Sequence, residues 1–310
     1  MFDIIVNPAT GSGRGIRTFK LVKPYFDKAG VSYRVHFSGQ GHGIEKTVRK
    51  ITSERPADII IIGGDGSMNE AVNGIADFDN TRIGFIPSGS GNDLAKALKI
   101  PVINRRSNTD KIRRLISRML NGKNERLIDI GVCEVEGRRR LFNISSGIGF
   151  DADSCFHSDR SHLKGILNRL GLGKLVYILI AIRLIVKNER SVCRIKTSDG
   201  IIRTYDNCLF AVAMNHRYEG GGFMFCPDAD DSDGLLDVCV ADGITPLKFM
   251  RMFPKALSGK HTAYDEIDIF KSESLEITMS EPRYMHTDGE ASKKITSVRL
   301  SVIPKKLRLL

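Results

Sequence analysis

The sequence predicts an α/β protein in which an N-terminal doubly wound parallel sheet is followed by a β-sandwich domain. Over residues 1–125, short apolar runs alternate with helical patterns, as is typical of a parallel sheet covered by helices. From residue 126 onward, the apolar segments are mostly strand-like. A polar, glycine-containing stretch at 121–126 separates the two patterns. We therefore expect an α/β domain at 1–125 and a β-rich domain at 126–310.

The elements of the first part can be placed in order along the chain. The predicted strands are Phe2–Val6, residues 31–37, Ile59–Ile62 and Ile83–Ile86. The predicted helices present the apolar faces Ile44–Ile51 and Leu94–Leu98. The continuous apolar run Ile59–Ile62 is expected of a strand that is buried on both faces.

The second part is predicted to consist of short antiparallel strands. The candidate strands are Leu127–Val135, Arg140–Ser145, Val192–Lys196, Cys208–Met214, Leu236–Val240, Leu275–Met279 and Val298–Val302. The pair Asp199-Gly200 between two such runs is a hairpin signal. This pattern favours a sandwich or a barrel-like domain.

The composition limits the classes of function. A formal net charge of +11 indicates an anionic partner, such as a nucleotide, a nucleic acid or an acidic membrane surface. Six cysteines without a C-x-x-C pair predict buried thiols in a reducing compartment. No signal-peptide pattern opens the chain, and the longest near-apolar run, Leu175–Val186, is shorter than the ~20 residues of a membrane span. We therefore expect a cytoplasmic protein that is soluble or peripheral at the inner face of the membrane.

Three glycine-rich turns each follow a predicted strand of the first part. They are Asn7-Pro8-Ala9-Thr10-Gly11-Ser12-Gly13, Gly63-Gly64-Asp65-Gly66-Ser67-Met68-Asn69-Glu70 and Pro87-Ser88-Gly89-Ser90-Gly91-Asn92-Asp93. Because the carboxyl ends of parallel strands meet at one edge of the sheet, the turns should line one site. Glycine brings bare N–H groups close to an anion, and the helix that follows adds its dipole. The set favours a phosphate site over turns that merely cap helices.

Asp65 is unexpected beside a phosphate, which repels a carboxylate unless Mg²⁺ or a proton lies between them. It therefore predicts metal–nucleotide chemistry or proton transfer. Ser67–Glu70 reads S-x-x-E, a capping box that predicts a helix starting at this turn. The sequence has no P-loop, no G-x-G-x-x-G that opens a helix and no protein-kinase motif set, which excludes those nucleotide-binding classes.

These motifs resemble those of the diacylglycerol kinase catalytic family, which includes related bacterial lipid kinases and the sphingosine and ceramide kinases. The similar segments of the first part are Asn7-Pro8 with Gly11, Gly63–Ser67, Asn69–Gly74 and Pro87–Asp93. Those of the second part are Asp129–Gly131, Phe142-Asn143, Pro227–Ala229, Asp233-Gly234, Leu236-Asp237 and Asp288–Glu290. The ordered set covers nearly the whole chain. It implies an NAD kinase/diacylglycerol kinase-like first domain that binds the nucleotide and a β-rich second domain that binds the lipid substrate. In this family the C-terminal segment often returns to the first domain.

The resemblance implies ATP as the phosphate donor, Mg²⁺ as the metal and a lipid hydroxyl as the acceptor, with diacylglycerol favoured. The implied ATP contacts are Asn7, Pro8, Ala9, Thr10, Gly11, Ser38, Gly63, Gly64, Asp65, Gly66, Ser67, Met68, Asn69, Glu70 and Ser90. Glu290 is implied as the base, although in some relatives the residue that matches Asp65 is proposed instead. Asp93 and Asp129 would complete the acidic network around the phosphates.

The resemblance also implies a structural Mg²⁺ at the Asp233 carboxylate and the main-chain carbonyls of Asp230 and Leu235. The alternative for this segment is a solvated acidic loop.

Residues 163–187 carry five basic side chains and no acid, which predicts a helix that lies on a membrane or packs on the β domain. Residues 105–126 are basic but lack interleaved aromatic residues, so nucleic-acid binding is not expected. The expected partners are a lipid substrate at a membrane surface and, as in bacterial relatives, a second copy of the chain.

Two other classes of function remain open at this point. An NAD kinase would share the Gly-Gly-Asp-Gly turn and the two-domain plan, but the motifs at Pro87–Asp93 and Asp288–Glu290 oppose it. A catalytically inactive nucleotide-binding module on the same fold is opposed by the presence of every acidic position that the chemistry would use. Phosphorylation of NAD, or ATP binding without turnover, would distinguish these classes from a lipid kinase.

Overall fold

The structure, a computed structural model of the chain, describes residues 1–39, 43–122, 125–159, 185 and 190–310. It divides into two compact units. The first unit comprises Met1–Ile130 together with Ile303–Leu310, and the second comprises Gly131–Val302. The last residues of the chain therefore belong to the same unit as its first half.

The first unit is built on a parallel sheet whose strands follow the apolar runs of the sequence. These strands are β1 (Phe2–Val6), β2 (Tyr33–Phe37), β3 (Ala57–Gly63) and β4 (Thr81–Pro87), in the spatial order β4-β3-β1-β2. The four isoleucines Ile59–Ile62 are fully buried, as expected of a central strand covered on both faces. Leu309, near the end of the chain, pairs in parallel with Ile83 of β4.

Five helices connect and follow these strands. They are α1 (Thr10–Lys28), α2 (Ile44–Glu54), α3 (Asp65–Gly74), α4 (Asp93–Ala97) and α5 (Thr109–Asn121). Apolar side chains of α1 and α5, among them Phe19, Phe26 and Met119, form one core with Ile60 of the sheet. The fold of this unit is thus a doubly wound α/β sheet.

The second unit consists mainly of antiparallel strands. They are β5 (Arg126–Val135), which begins in the first unit, β6 (Arg138–Phe142), β7 (Ser145–Gly149), β8 (Ser191–Thr197), β9 (Ile202–Met214), β10 (Leu236–Asp242), β11 (Ile267–Ser272), β12 (Ser274–Thr287) and β13 (Glu290–Leu309), which ends in the first unit. The helices described in this unit are α6 (Phe150–Asp159), α7 (Pro246–Ala256) and a 3₁₀ helix (Lys260–Ala263).

Two long strands shape the β-sandwich. Strand β9 pairs with β8 over its first half and with β7 over its second half. Strand β12 likewise pairs with β8 around Ile277 and with β7 around His286, and its register shifts between Thr278 and Arg283. A shift of this kind lets a strand bend, so that one strand serves two parts of a sandwich. The core between the strands includes the fully buried side chain of Phe142.

Other sequence-based expectations can be compared with the described residues. The six cysteines are free thiols, and five of them are buried, as the composition predicts. No helix in the described parts of the chain is long and apolar enough to cross a bilayer. The predicted interfacial segment 163–187 lies outside the described residues, apart from the buried side chain of Ile185.

The turn between β12 and β13 is anchored by Asp288. Asp288 and Gly289 have φ angles of 50° and 79°, as a tight hairpin turn requires. The Asp288 carboxylate accepts hydrogen bonds from the main-chain N–H groups of Asn143–Ser145, at 2.9, 2.7 and 3.1 Å. These contacts divide the segment Arg140–Ser145, so the prediction of a single strand there is wrong.

We expect Asp288→Asn to lower the free energy of unfolding by about 1–3 kcal/mol, because the amide loses the charge that serves three N–H donors. Asp199→Asn, in the other Asp-Gly hairpin turn, is the matched control. Asp199 is exposed, so we expect its replacement to cost less than about 1 kcal/mol. Denaturant unfolding followed by circular dichroism measures both losses. Equal losses would show that the Asp288 contacts do not stabilise the unit.

Candidate functional site

The first glycine-rich turn connects β1 to α1 with an unusual backbone. Gly11, Ser12 and Gly13 have φ angles of 58°, 59° and 83°, so three consecutive residues are left-handed. A Cβ atom on Gly15 would lie 1.8 Å from the main-chain oxygen of Asn7. The helix therefore approaches the end of β1 more closely than any residue except glycine permits.

The second and third turns touch each other through two glycines. A Cβ atom on Gly89 would lie 2.7 Å from the Cα atom of Gly64, and a Cβ atom on Gly64 would lie 3.1 Å from the Cα atom of Gly89. The main-chain N–H of Ser88 donates to the oxygen of Gly63 at 2.7 Å. The two turns are thus packed backbone against backbone, with no space for a side chain between them.

The first turn is connected to both of the others. Asn7 Nδ2 donates to Ser67 Oγ at 3.0 Å, and a Cβ atom on Gly11 would lie 2.6 Å from the main-chain oxygen of Ser88. The structure therefore brings together the three turns that the sequence predicts to line one site. Ser38 lies at the end of the adjacent strand, where its N–H donates to the oxygen of Val6 at 2.9 Å.

The Asp65 carboxylate joins the second turn to the third. It accepts the main-chain N–H groups of Asp93 and Leu94, the first residues of α4, at 3.1 and 3.2 Å. Asp65 therefore caps α4, a role that the sequence-based interpretation did not assign. A Cβ atom on Gly91 would lie 3.5 Å from Oδ2 of Asp65 and 3.5 Å from Oδ2 of Asp93. The two carboxylates thus face one small volume beside Gly91.

The other predicted residues of these turns differ in their access to a ligand. The side chains of Met68 and Asn69 are fully buried and belong to the protein interior. Ser90 is exposed. Ser88 Oγ and Asn92 Oδ1 are buried without a hydrogen-bond partner among the described residues. Unsatisfied polar atoms of this kind are rare in folded proteins and are common where a ligand or water binds.

Glu70 caps a different helix from the one predicted. Its Oε2 atom accepts the main-chain N–H of Ile44, the first residue of α2, at 3.1 Å. Helix α3 begins at Asp65 without a side-chain cap, and Ser67 Oγ accepts its hydrogen bond from Asn7. The capping box predicted over Ser67–Glu70 is therefore wrong. Both side chains instead connect α3 to neighbouring segments.

Asp129 holds the returning end of the chain. It is fully buried on β5, and its Oδ1 atom accepts the main-chain N–H of Lys305 at 2.7 Å. Lys305 has a φ angle of 50°, an unfavourable value for lysine that this contact helps to stabilise. The described hydrogen bond gives Asp129 a structural role besides the acidic network that the family resemblance implies.

Glu290, the residue implied as the base, belongs to the second unit. It follows the Asp288–Gly289 turn directly and begins β13. Its side chain is 56% exposed, and Oε2 lies 3.7 Å from Nη2 of Arg140. Because the contacts of Asp288 fix the preceding turn, the backbone of Glu290 is held in a defined position within its unit.

A buried charged cluster lies beside the same turn. His286 is fully buried, with Nε2 at 2.8 Å from Oδ2 of Asp151 and Nδ1 at 3.4 Å from Oε1 of Glu219. The main-chain nitrogen of Gly289, next to Glu290, lies 3.3 Å from Nδ1 of His286. The histidine therefore links two carboxylates to the turn that carries the predicted base.

The sequence motifs include neither His286 nor its two carboxylate partners. Glycine gives a local signal for each of them. A Cβ atom on Gly147 would lie 2.4 Å from Oδ2 of Asp151, and Glu219 precedes three glycines with positive φ angles at 220–222. Neither signal identifies the residue that is contacted, because Asp151, Glu219 and His286 are more than 60 positions apart and come together only in the fold.

The charges of this cluster shift two pKa values. Burial alone would lower the pKa of His286, but the charges of Glu219 and Asp151 outweigh it and raise the pKa from 6.5 to about 9. Burial raises the pKa of the Glu219 carboxyl from 4.5 to about 7. At neutral pH His286 is therefore a charged imidazolium, with the carboxyl groups of Asp151 and Glu219 on either side of its ring.

The acidic loop predicted to hold a structural Mg²⁺ contains an ion pair between Asp233 and Lys271. Lys271 Nζ lies 2.6 Å from Oδ2 of Asp233, and Oδ1 of Asp233 accepts the N–H of Leu235 at 3.0 Å. Asp230 Oδ1 accepts two hydrogen bonds from Ser232. In the described ranges, no group of three or more His, Cys, Asp or Glu side chains is arranged to hold a metal ion. The ammonium group of Lys271 therefore lies at one oxygen of the carboxylate that the predicted Mg²⁺ site would use.

A cavity of about 610 Å³ in the first unit is separate from the three turns. Its lining combines apolar side chains, such as Leu98 and Leu310, with Arg114 and Arg118 from the basic stretch 105–126. None of the glycine-rich turn residues lines it. The candidate site is therefore defined by the backbone contacts of the turns and not by this cavity.

A doubly wound sheet whose glycine-rich turns meet at one edge, followed by a β-sandwich, is the plan of a two-domain kinase that acts on hydroxyl groups. Family models give the particular class. Residues 2–124 match the diacylglycerol kinase catalytic domain, and residues 145–310 match the YegS C-terminal NAD kinase beta sandwich-like domain. The chain belongs to this diacylglycerol kinase family of lipid kinases.

Individual relatives agree with the family models. The chain is 30% identical over 294 residues to a diacylglycerol kinase of Bacillus subtilis, covering 93% of this chain and 88% of the relative. It is 24% identical over 307 residues to a diacylglycerol kinase of Mycobacterium tuberculosis, covering 99% and 93%. A crystal structure of a diacylglycerol kinase from Bacillus anthracis superposes with a TM-score of 0.71 at 19% identity, covering 99% and 95%, which supports the fold.

His286→Gln should remove a pH dependence of stability. In the folded protein His286 keeps its proton up to about pH 9, whereas in the unfolded chain it loses the proton above about pH 6.5. The folded state therefore binds more protons in this window, and its stability falls as the pH rises from about 6.5 to 9, by a loss on the order of 1–3 kcal/mol. We expect the thermal midpoint of the wild type to fall over this range and that of the variant to change less.

His261→Gln is the matched control for this measurement. His261 is also buried, and its Nε2 atom lies 3.2 Å from the main-chain oxygen of Phe225. This variant should keep the pH slope of the wild type, even if its midpoint is lower at every pH. If the slopes of the wild type and His286→Gln were the same, the assignment of a charged His286 would be wrong.

Proposed function

We propose that this protein is an ATP-dependent lipid kinase that transfers the γ-phosphate of Mg–ATP to the hydroxyl of diacylglycerol, giving phosphatidic acid. The observation that carries the proposal is the contact between Gly64 and Gly89, which brings two glycine-rich turns and the carboxylates of Asp65 and Asp93 to one place. The family assignment supports a lipid as the acceptor.

The phosphates of ATP would bind to main-chain N–H groups of the three turns. The left-handed run Gly11–Gly13 exposes successive backbone groups, as in other anion-binding loops. Two exposed arginines stand beside this run: Arg14 donates to the oxygen of Gly11 and Arg17 to that of Ser12, each at 3.1 Å. Sequence reasoning missed both arginines. Their charges support binding of a polyphosphate, and the unsatisfied hydroxyl of Ser88 in the third turn would donate to a phosphate oxygen.

Mg²⁺ is compatible with the acidic residues of this site. Asp65 and Asp93 would hold the ion, since Mg²⁺ bound with a nucleotide commonly takes one or two carboxylates together with phosphate oxygens. When bound, the ion supplies positive charge that neutralises the phosphate oxygens. Each carboxylate oxygen of Asp65 accepts one main-chain N–H of α4, and these contacts fix the orientation of the carboxylate.

Glu290 is a better candidate for the catalytic base than Asp65. The Asp65 carboxylate is committed to the N-terminus of α4, which positions it and stabilises its charge. Glu290 is more than half exposed and stands on a turn anchored by Asp288. We propose that Glu290 accepts the proton of the lipid hydroxyl as that oxygen attacks the γ-phosphorus. The nearest described cation is Arg140, whose Nη2 lies 3.7 Å from Oε2 of Glu290.

The proposal includes the setting of the reaction. A diacylglycerol is held in a membrane, so the protein would act as a peripheral enzyme at the inner face of the membrane. The net charge of +11 is suited to the anionic surface of that leaflet. A homodimer, proposed from the resemblance, does not enter the chemistry above.

Transfer of labelled γ-phosphate from Mg–ATP to a panel of acceptors tests the proposal. The panel contains diacylglycerol, sphingosine, ceramide and phosphatidylglycerol in mixed micelles, with NAD as a soluble acceptor. We expect label in diacylglycerol. Label in another lipid alone would correct the substrate and keep the class, whereas label in NAD alone would overturn the lipid assignment. ATP binding without transfer to any acceptor would favour a nucleotide-binding module.

Glu290→Gln should lower kcat at least about 100-fold, because the amide cannot accept the proton of the hydroxyl. Binding of a non-hydrolysable ATP analogue should change by less than about threefold, since the acceptor's proton has no part in nucleotide binding. Glu281→Gln, an exposed glutamate of the same unit, is the matched control and should have wild-type activity. Retention of more than half of the wild-type kcat by Glu290→Gln would remove this residue from the mechanism.

A further inference from the structure

Helix α7 carries an apolar stripe on its outer face. The side chains of Leu247 and Met250 are 60% and 56% exposed, and Leu257, directly after the helix, is 49% exposed. Pro254 between them is exposed as well. Positions 247, 250, 254 and 257 are spaced by three, four and three residues, so they form one row along the helix. Exposed apolar residues aligned in this way mark a surface that is covered by something else.

The inner face of the same helix is fixed to the second unit. Phe249 and Phe253 stack on each other with ring centroids 5.0 Å apart. Phe249 also contacts Phe150 at 5.1 Å, and Phe253 contacts Phe223 at 4.5 Å. Thr245 Oγ1 caps the helix by accepting the N–H of Lys248 at 3.3 Å. These contacts hold the orientation of the helix, so the outer stripe cannot turn inward without loss of the aromatic packing.

A row of basic residues runs beside the apolar stripe. Lys248, Arg251 and Lys255 are spaced by three and four residues, because each directly follows one of the first three members of the stripe, and Lys260 follows the helix. From residue 243 to residue 264 the chain contains no Asp or Glu. Lys248 pairs with Glu266, and Lys255 Nζ donates to the hydroxyl of Tyr264 at 2.6 Å. Arg251 and Lys260 are also exposed, and no ion pair is recorded for either of them within the described residues.

We propose that α7 docks the protein on an anionic phospholipid surface, with Leu247, Met250 and Leu257 inserted between the headgroups and Arg251 and Lys260 bound to lipid phosphates. An apolar row flanked by cations, on a helix too short to span a bilayer, is the pattern of an element that lies in the plane of the interface. The charge complementarity selects this occupant over a second copy of the chain, which would bring its own row of cations against this one. The inference deepens the proposed function, because it names the surface that would meet the substrate membrane.

Sedimentation with vesicles of phosphatidylglycerol and phosphatidylcholine tests this proposal on the full chain. We expect the wild type to bind the mixed anionic vesicles, to bind pure phosphatidylcholine more weakly and to be released by salt. Leu247→Ser with Met250→Ser should weaken the partition at least about tenfold, because two inserted apolar side chains are lost. Arg251→Gln should weaken it by about fivefold, as expected for one charge near an anionic surface.

Two matched variants of the same unit control for unspecific effects. Ile201→Ser with Ile202→Ser removes two apolar side chains that are 48% and 47% exposed, and Arg194→Gln removes an exposed charge of β8. We expect both controls to bind as the wild type does. Because every substituted side chain is exposed, circular dichroism and thermal midpoints should be unchanged in all four variants.

The outcomes separate docking from the proposed kinase activity. Unchanged vesicle binding by the Leu247 and Met250 double variant would overturn the docking proposal. A change in its oligomeric state without a change in vesicle binding would also overturn it and would assign the stripe to a contact between copies. Vesicle binding can be measured without turnover, so loss of binding in this variant would support docking even if the acceptor panel showed no label. Conversely, activity on a short-chain diacylglycerol in solution would stand if docking failed.

Discussion

The close contact between Gly64 and Gly89 is the constraint on which the rest of the site depends. A Cβ atom on either glycine would come within about 3 Å of the opposite backbone, so a larger residue would force the second and third turns apart. Several other features depend on this distance. The Asp65 carboxylate reaches the N–H groups of Asp93 and Leu94 only because the turns are adjacent, and Ser88 can donate to the oxygen of Gly63 for the same reason. The sheet supplies the parallel strands, but the glycines determine how closely their ends approach.

The sequence was sufficient for the type and order of most elements and for the convergence of the three turns. The hydrophobic pattern explains why these predictions were correct. A continuous apolar run such as Ile59–Ile62 is typical of a strand that is covered on both faces, and the carboxyl ends of parallel strands lie at one edge of the sheet. The failures have a common physical cause. Ser67–Glu70 fits a capping box in sequence, yet the fold brings the N-terminus of α2 within reach of Glu70, and this distant contact replaces the local one. Similarly, the contacts of Asp288 divide a predicted strand at Asn143–Ser145 from a position more than 140 residues away.

Several carboxylates that belong to the sequence motifs of the family accept hydrogen bonds from main-chain N–H groups. Asp65 binds two amides of α4, Glu70 binds one of α2, Asp129 binds that of Lys305 and Asp288 binds three. Each of these contacts fixes the backbone of a segment that is distant in sequence. Loss of activity on replacement of such a residue would therefore not distinguish a chemical role from a positional one. A comparison of nucleotide affinity with kcat would distinguish them, because a displaced turn weakens binding whereas a missing base does not. Glu290, which is mostly exposed, is the residue for which this comparison is simplest to interpret.

The two units differ in how their charged groups are arranged, and the difference is consistent with the ligands proposed for them. A polyphosphate brings its own negative charge, so the turns of the first unit present backbone N–H groups and the exposed guanidinium groups of Arg14 and Arg17. A diacylglycerol is uncharged, and a buried cluster that kept a net charge near it would be costly to desolvate. In the second unit His286 lies between Asp151 and Glu219, where its own charge offsets part of theirs, and Lys271 does the same for Asp233. Arg251 and Lys260 carry exposed positive charge on the surface of that unit. At this surface the charge would meet an anionic membrane and not the neutral substrate.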